Sequence, residues 1–262
     1  MRMVIWCGVW CLTALGAMAV DGERPTLTVP FVADVPAVDA TRDDAVWRQA
    51  AVIEDLSPPL GVTFERAPAR TRVEVLWSRS DLFLRFRCAG AVGTRLPDLP
   101  ADALPRDLPY FKADCVEIFL DPVGDARQYI EMQFSPDGGV FDGVYLFTAP
   151  VESDGQGLVR GEITGRDGWF FKEWDLDGLR VSAAAQGAEW TVVVAIPARS
   201  LLKRRGAREF AAGMELRVNL VRFAYPAGEG KPVITNWARV VEGRAHRSPQ
   251  GCGTLVLQAP AG

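Results

Sequence analysis

The segment 107–122, DLPYFKADCVEIFLDP, places four acidic residues, two adjacent aromatic rings and a short apolar run within sixteen positions. Such residues support three kinds of chemistry. Paired carboxylates perform acid–base catalysis, clustered carboxylates hold a metal ion, and rings beside carboxylates bind polyols. The segment alone leaves all three open, so the elements that position these residues must decide between them.

Alternation predicts that Glu117 lies on the polar face of a sheet. A strand over 115–120 turns Val116, Ile118 and Leu120 to one side and Glu117 to the other. The next strand, over 129–134, alternates in the same way. The paired strands then share one apolar face and one mixed face, which carries Glu117, Phe119, Tyr129, Glu131 and Gln133.

A sheet face that mixes carboxylates, an amide and rings suits the recognition of sugars. The C–H faces of a sugar stack on rings, and its hydroxyls need donors and acceptors at fixed positions. The alternative is that these acids form the solvated face of a half-buried sheet. The residue pattern does not separate the two interpretations.

Strand patterns dominate the rest of the chain and predict the fold class. Apolar and polar residues alternate over 72–77 and 82–88, and further strand patterns occupy 181–186, 189–196, 214–223 and 252–258. Helical patterns are short, at 42–50 and 198–205. We therefore predict an antiparallel β-sandwich of the jelly-roll or immunoglobulin-like kind, with one or two short helices.

The start of the chain predicts export. Residues 1–19, MRMVIWCGVWCLTALGAMA, have the layout of a signal peptide with cleavage after Ala19, and no basic stop-transfer cluster follows. A retained membrane anchor is the alternative. No later segment is apolar enough to cross a membrane. We expect a secreted or periplasmic protein, with a short lead-in at 20–30 and a single sandwich domain at 31–262.

Composition and cysteine usage limit the partners. The net charge of −4 and the lack of a basic patch with interleaved aromatics argue against nucleic acid. Without the signal peptide, Cys88, Cys115 and Cys252 remain, an odd number. A disulfide between Cys88 and Cys115 is one possibility, and free buried thiols are the other.

The motifs of common enzymes are missing from the sequence. There is no phosphate-binding loop and no nucleophile elbow, and the single histidine, His246, argues against a histidine metal site or a Ser-His-Asp triad. Asp121, Asp125 and Asp142 lie near one another in the sequence and are the candidates for a calcium cage. Their spacing is not that of an EF-hand loop.

The ordered set of motifs resembles the family 9 carbohydrate-binding modules and their relatives. The matching stretches run through most of the chain after the predicted signal peptide: DDAVWRQA (43–50), TRVEVLWSRSDLFLRFRC (71–88), YFKADCVEIFLDP (110–122), RQYIEMQFSPDGGVFD (127–142), WTVVVAIPARSL (190–201), RVNLVRF (217–223), TNWARV (235–240) and SPQGCGTLVL (248–257). The resemblance implies a β-sandwich that holds a sugar between aromatic rings, often with structural calcium.

The resemblance also implies a set of site residues. Phe111 stands where the family has a stacking Trp, with Tyr110 beside it, and Glu117 matches the glutamate that binds hydroxyls. Trp237 is the candidate for the second stacking ring. The remaining candidates on or near this face are Glu131, Gln133, Asn219, Arg222 and Asn236.

We expect an exported, non-catalytic carbohydrate-binding protein that serves carbohydrate catabolism or uptake. One alternative is a glycoside hydrolase with Glu117 and Glu131 as its carboxyl pair. Another is a haem-binding relative with Met132, Met214 or His246 as an axial ligand. A sandwich module for contact with other proteins is a third, and the oligomeric state stays open.

Overall fold

The computed structural model describes residues 24–65, 68–96, 106–147, 162–163, 168–226, 230–239 and 252–260. The predicted signal peptide and His246 lie outside the described residues. The strands are β1 (Thr26–Val29), β2 (Ala51–Ile53), β3 (Thr71–Trp77), β4 (Asp81–Ala89), β5 (Cys115–Asp121), β6 (Gln128–Phe134), β7 (Val140–Leu146), β8 (Glu162–Ile163), β9 (Trp169–Phe171), β10 (Arg180–Gln186), β11 (Glu189–Pro197), β12 (Glu215–Ala224), β13 (Val233–Asn236) and β14 (Gly253–Leu257). One α-helix, α1 (Ala198–Leu201), and three 3-10 helices (Ala45–Gln49, Tyr110–Lys112 and Lys203–Arg205) complete the described elements.

The strands form two sheets. The large sheet has the order β1-β14-β12-β5-β6-β7-β9-β8, and β13 pairs with β12 beside it. The small sheet has the order β10-β11-β4-β3-β2. Within the described residues helix is scarce, so the predicted all-β sandwich is confirmed.

The core lies between the two sheets, as alternation predicted. Val116, Ile118 and Leu120 of β5 and Met132 of β6 are fully buried in one cluster. The same cluster holds Trp77 and other side chains from the small sheet. Met132, the candidate haem ligand, is thus packed as a core side chain among aliphatic neighbours.

Two short segments form strands that the residue pattern did not predict. Residues 26–29, predicted as part of a lead-in, form β1, which pairs in parallel with β14 and buries Val29 completely. Residues 169–171, for which the residue pattern predicted no strand, form β9 beside β7 in the large sheet. Both strands are too short to show a period, so pairing with a neighbour decides their conformation.

Cys88 and Cys115 form no disulfide bond. Cys88 points into the core, whereas Cys115 packs with Tyr110 and Phe141 on the outer side of the large sheet. The possible disulfide between Cys88 and Cys115 is therefore not formed. Burial raises the pKa of Cys88 to about 12, which makes its thiol inert.

The outer side of the small sheet is covered by the 3-10 helix at 45–49. Trp47 is buried there, and the Arg85 guanidinium lies 4.7 Å from the centre of its ring. Arg85 also pairs with buried Glu74 at 2.5 Å. A satisfied ion pair of this kind is costly to break by removing one partner, so it holds the Arg85 guanidinium in place against Trp47.

Candidate functional site

The outer face of the large sheet carries the candidate residues of β5 and β6. Glu117 is directly opposite Gln133, and Phe119 is directly opposite Glu131. Glu117 and Glu131 are therefore diagonal neighbours on adjacent strands, which brings two carboxyl groups into interaction. The shared face predicted from alternation is confirmed.

Aromatic rings surround this carboxyl pair. Tyr129 and Tyr145 stack at 5.2 Å between ring centres, and Phe119 meets Tyr129 edge to face at 5.6 Å. Phe141 and Phe170 lie on the next strands, 5.9 Å apart. Because rings fill the face, it is much drier than a solvated sheet surface: Glu117 is only 3% exposed, and Glu131 is partly exposed.

Burial dominates the electrostatics of the pair. It raises the pKa of Glu117 well above its ordinary value, and the negative charge of Glu131 raises it further. Burial also raises the pKa of Glu131 to about 7, against a hydrogen bond from Gln133 that lowers it. The titratable groups that interact with the pair or lie near it are Asp114, Cys115 and Tyr225, and none of them carries a positive charge.

Phe111 forms a projecting platform at one end of this face. Its ring is 41% exposed, more than any other aromatic ring in the described part of the chain. Its backbone N–H donates to Gln133 Oε1 at 3.1 Å, and Gln133 Nε2 donates to Glu131 Oε1 at 2.7 Å. The Tyr225 hydroxyl donates to the Phe111 carbonyl at 2.8 Å. Gln133 and Tyr225 thus fix the backbone of Phe111, and Gln133 links this exposed residue to the Glu131 carboxyl group.

Tyr110 anchors the platform and is not itself exposed. It is 1% exposed and packs with Cys115 and Phe141. Its ring fills the space beside Gly139, where an added Cβ would lie 2.3 Å from the ring. Tyr110 therefore belongs to the packing beneath Phe111, and we correct its assignment as a sugar contact.

Asn219, Trp237 and Asn236, three candidates near the end of the chain, are part of the packing of the fold. Asn219 makes two hydrogen bonds with the backbone of Ala238, at 2.9 and 3.1 Å, and is fully buried. Trp237 packs against the core and against Gly253, where an added Cβ would lie 2.7 Å from its ring. Trp237, the candidate for the second stacking ring, thus packs on the core side of the large sheet. Asn236 is 1% exposed, and neither atom of its amide group has a partner.

Arg222 points between the sheets. It pairs with Val116 on the core side of β5 and is 2% exposed. Its guanidinium donates to the carbonyls of Arg70 and Ala89 and to the Thr71 hydroxyl, which all belong to the small sheet or its ends. It is therefore absent from the face that carries Glu117.

The described residues also form a cleft, which we call the end cleft. It has a volume of about 630 Å³ and lies where strands of both sheets end. Arg222, Asp114, Tyr225 and Phe64 supply its polar groups and its rings. The residue pattern did not predict a functional role for Asp114, Tyr225 or Phe64. Tyr225 lies directly after β12, and an aromatic residue at the end of a strand was the signal available for it.

The candidate calcium ligands do not come together. Asp121 accepts the backbone N–H groups of Val123, Gly124 and Ala126 and so stabilises a turn. Asp125 accepts the Arg127 N–H in the same turn. The proposed cage of Asp121, Asp125 and Asp142 is therefore wrong.

Asp142 belongs to another group. Its carboxylate lies within 4.8 Å of those of Asp107 and Asp175. Arg106 bonds to Asp142 and donates to Asp175 at 2.9 Å, and the Leu176 N–H donates to the other Asp142 oxygen. A guanidinium already supplies the compensating charge, so these residues do not fit a calcium site as arranged.

Comparisons with known proteins concern the fold. No protein-family model and no curated protein matches the sequence. A family 9 carbohydrate-binding module of Caldicellulosiruptor kristjanssonii in complex with cellotriose is 13% identical, with a TM-score of 0.56 over 90% of this chain and 95% of that chain. A module of the same family and organism in complex with glucose is 12% identical, with a TM-score of 0.55 over 91% and 97%.

A third solved structure is similar over its whole length. It is a candidate carbohydrate-binding protein of Bacteroides uniformis ATCC 8492, 12% identical, with a TM-score of 0.62 over 90% of this chain and 100% of that chain. No helix in the described part of this chain is long and apolar enough to span a membrane. The chain has the β-sandwich fold of the family 9 carbohydrate-binding modules.

Proposed function

We propose that this protein is a non-catalytic carbohydrate-binding protein whose sugar stacks on Phe111. The observation that carries the proposal is that Gln133 and Tyr225 both hydrogen-bond to the backbone of this exposed residue. Gln133 also bonds to the Glu131 carboxyl group. An exposed ring on a fixed backbone can bind a flat apolar surface without losing much conformational freedom. The C–H face of a pyranose is such a surface.

Glu131 is the polar partner for the sugar. It is partly exposed and lies at the end of the hydrogen-bonded series that runs from Phe111 through Gln133. A carboxylate accepts hydrogen bonds from hydroxyls, and in a poorly hydrated position such bonds gain strength. Glu117 lies deeper and supports the face through its interaction with Glu131.

The fold supports the same class of ligand. The C. kristjanssonii modules of this fold were solved with cellotriose and with glucose, so neutral glucans are natural first probes. The signal-peptide pattern at 1–19 supports export, and a role in carbohydrate catabolism or uptake agrees with it. Export and catabolic role both form part of the proposal.

The hydrolase alternative is supported less by the geometry. Glycosidases separate the roles of acid and base by pushing two carboxyl pKa values apart. Here burial raises the pKa of both Glu117 and Glu131. Moreover, Glu117 is almost closed to solvent, so a scissile bond would reach only one of the two groups.

A glycan array followed by titration calorimetry tests the proposal. The wild-type protein is expected to bind at least one neutral saccharide, and Phe111→Ala is expected to lower that affinity about tenfold through loss of the stacking contact. Val35→Ala is the matched control, because Val35 is also exposed, at 50%, and lies between Val32 and Val38, which pack against the small sheet. Lack of binding to any saccharide, or unchanged binding by Phe111→Ala, would contradict the proposal. Release of reducing ends that stops in Glu131→Gln would favour the hydrolase instead.

A further inference from the structure

We propose that the end cleft is a second sugar subsite, adjoining Phe111, so that the ligand is a neutral oligosaccharide and not a single sugar. This inference rests on the proposed function and names the ligand class for it. Three properties of the cleft carry it: its size and walls, its balance of charges, and its continuity with Phe111.

The cleft has the dimensions and the lining of a small-ligand site. Its volume of about 630 Å³ lies within the usual range for ligand pockets, roughly 300–1,000 Å³. Two partly exposed rings, Phe64 and Tyr225, contribute to its walls, together with Pro68 and Pro226. Rings and apolar surface of this kind match the C–H faces of a pyranose.

Arg222 supplies the polar interior of the cleft. Its two terminal nitrogens are bonded to oxygen atoms of the small sheet or its ends. These bonds hold the guanidinium in place, so the cleft has a fixed positive charge in its wall.

The charges in the cleft select a neutral ligand over an acidic one. Asp114 and Glu65 line it with Arg222, so the single positive charge is more than balanced. The Asp114 carboxylate accepts the N–H groups of Gly93 and Thr94 and is held in place. An acidic sugar would meet repulsion from these carboxylates, whereas a neutral one would not.

Tyr225 joins the cleft to the platform. Its side chain lines the cleft, and its hydroxyl donates to the Phe111 carbonyl at 2.8 Å. Asp114, three positions after Phe111, lies in the cleft as well. A chain of sugars that starts on the Phe111 ring therefore passes Tyr225 and enters the cleft.

The experiment compares chain lengths. Glucose, cellobiose and cellotriose are titrated into wild type, Phe64→Ala and Phe111→Ala by calorimetry. In wild type, cellotriose is expected to bind about tenfold more tightly than glucose, because a second ring contact is added. Phe64→Ala is expected to remove that gain and to leave the glucose affinity unchanged, whereas Phe111→Ala lowers the affinity for all three.

The controls keep the two proposals separable. Phe147→Ala removes a partly exposed ring that packs near Tyr129 and Tyr145, at the far end of the face from Gln133, and is expected to change none of the affinities. Equal affinity for the three lengths, or an unchanged length dependence in Phe64→Ala, would overturn the end cleft as a subsite and leave the platform standing. Loss of all binding in wild type would overturn both. Tighter binding of an oligosaccharide with uronic acid units than of cellotriose would overturn the preference for neutral ligands.

Discussion

Gln133 accepts a hydrogen bond from the backbone N–H of Phe111 at 3.1 Å, across 22 positions of the sequence. The amide of the same side chain donates to Glu131 at 2.7 Å. One neutral side chain thus fixes both the exposed ring and the carboxyl group beside it. The arrangement makes Gln133 a positioning residue, since it is itself 3% exposed.

Replacing Gln133 is expected to weaken binding without removing any group that touches the sugar. Gln133→Ala loses both hydrogen bonds and leaves the Phe111 N–H without a partner, which lowers the free energy of unfolding by about 1–2 kcal/mol. Calorimetry should show a several-fold loss of sugar affinity. Gln133→Glu keeps the acceptor for the Phe111 N–H. It should therefore retain more sugar affinity than Gln133→Ala in acid, where the new carboxyl group is protonated. Equal loss in both variants at every pH would contradict the positioning role.

Glu131 should make the protein less stable as the pH rises. Its pKa is about 7 in the folded state, against 4.5 for the free side chain, so the folded protein holds the proton more tightly. The contribution of Glu131 to the free energy of unfolding is therefore complete below a pH of about 4.5 and is lost as the pH rises through about 7. Glu131→Gln should remove this loss and exceed wild type by on the order of 2 kcal/mol in mild alkali.

Chemical denaturation at several pH values measures the effect of Glu131. Glu209→Gln is the control, because Glu209 is 64% exposed and forms only a surface ion pair with Arg79. That change should leave the pH dependence as it is in wild type. Identical pH profiles for Glu131→Gln and wild type would refute the account of the buried carboxyl.

Arg222 should contribute to stability by joining the two sheets. Arg222→Gln removes donors from the carbonyls of Arg70 and Ala89, and we expect a loss of about 2–4 kcal/mol in the free energy of unfolding. Arg217→Gln on the same strand is the matched control, since Arg217 is partly exposed and bonds to Thr254. The free energy of unfolding of Arg217→Gln should fall by less than about 1 kcal/mol. Equal losses of unfolding free energy in the two variants would show that the bonds between the sheets stabilise the protein no more than the Arg217–Thr254 bond does.

The three cysteines should resist alkylation in the folded protein. Burial raises the pKa of both Cys88 and Cys252 to about 12 and that of Cys115 well above its ordinary value. Iodoacetamide should therefore label none of the three in the folded chain that lacks residues 1–19, and should label Cys88 and Cys115 after denaturation. Mass spectrometry locates the labels. Rapid labelling of native protein, or a label missing from Cys88 or Cys115 after denaturation without reductant, would contradict this assignment.

Arg106 should be the cation that compensates the carboxylates of Asp142 and Asp175. Arg106→Ala leaves those charges near Asp107 without a partner, so the melting temperature should fall. Millimolar calcium should restore part of the loss in the variant, because the vacated position is then open to a cation. In wild type, a chelator should leave the melting temperature unchanged. A drop on chelation would contradict the structural assignment.

The alternation of residues predicted much of the fold and part of the site. Ile118 and Met132 went to the core and Glu117 and Glu131 to the opposite face, because a strand has a period of two and a sandwich has one dry side. β1 and β9 were missed, since three or four residues show no period. Their pairing with distant strands decided their conformation.

The sequence by itself determined which residues share a face, but the tertiary structure decided which of them solvent can reach. Glu117 and Gln133 were predicted on an open face, and rings from neighbouring strands bury both. Arg222 was predicted beside them, yet strand register turns it to the core side, where it bonds to the small sheet. The end cleft joins residues separated by more than 100 positions, and a period in the chain cannot encode such proximity because it arises only when two sheets pack.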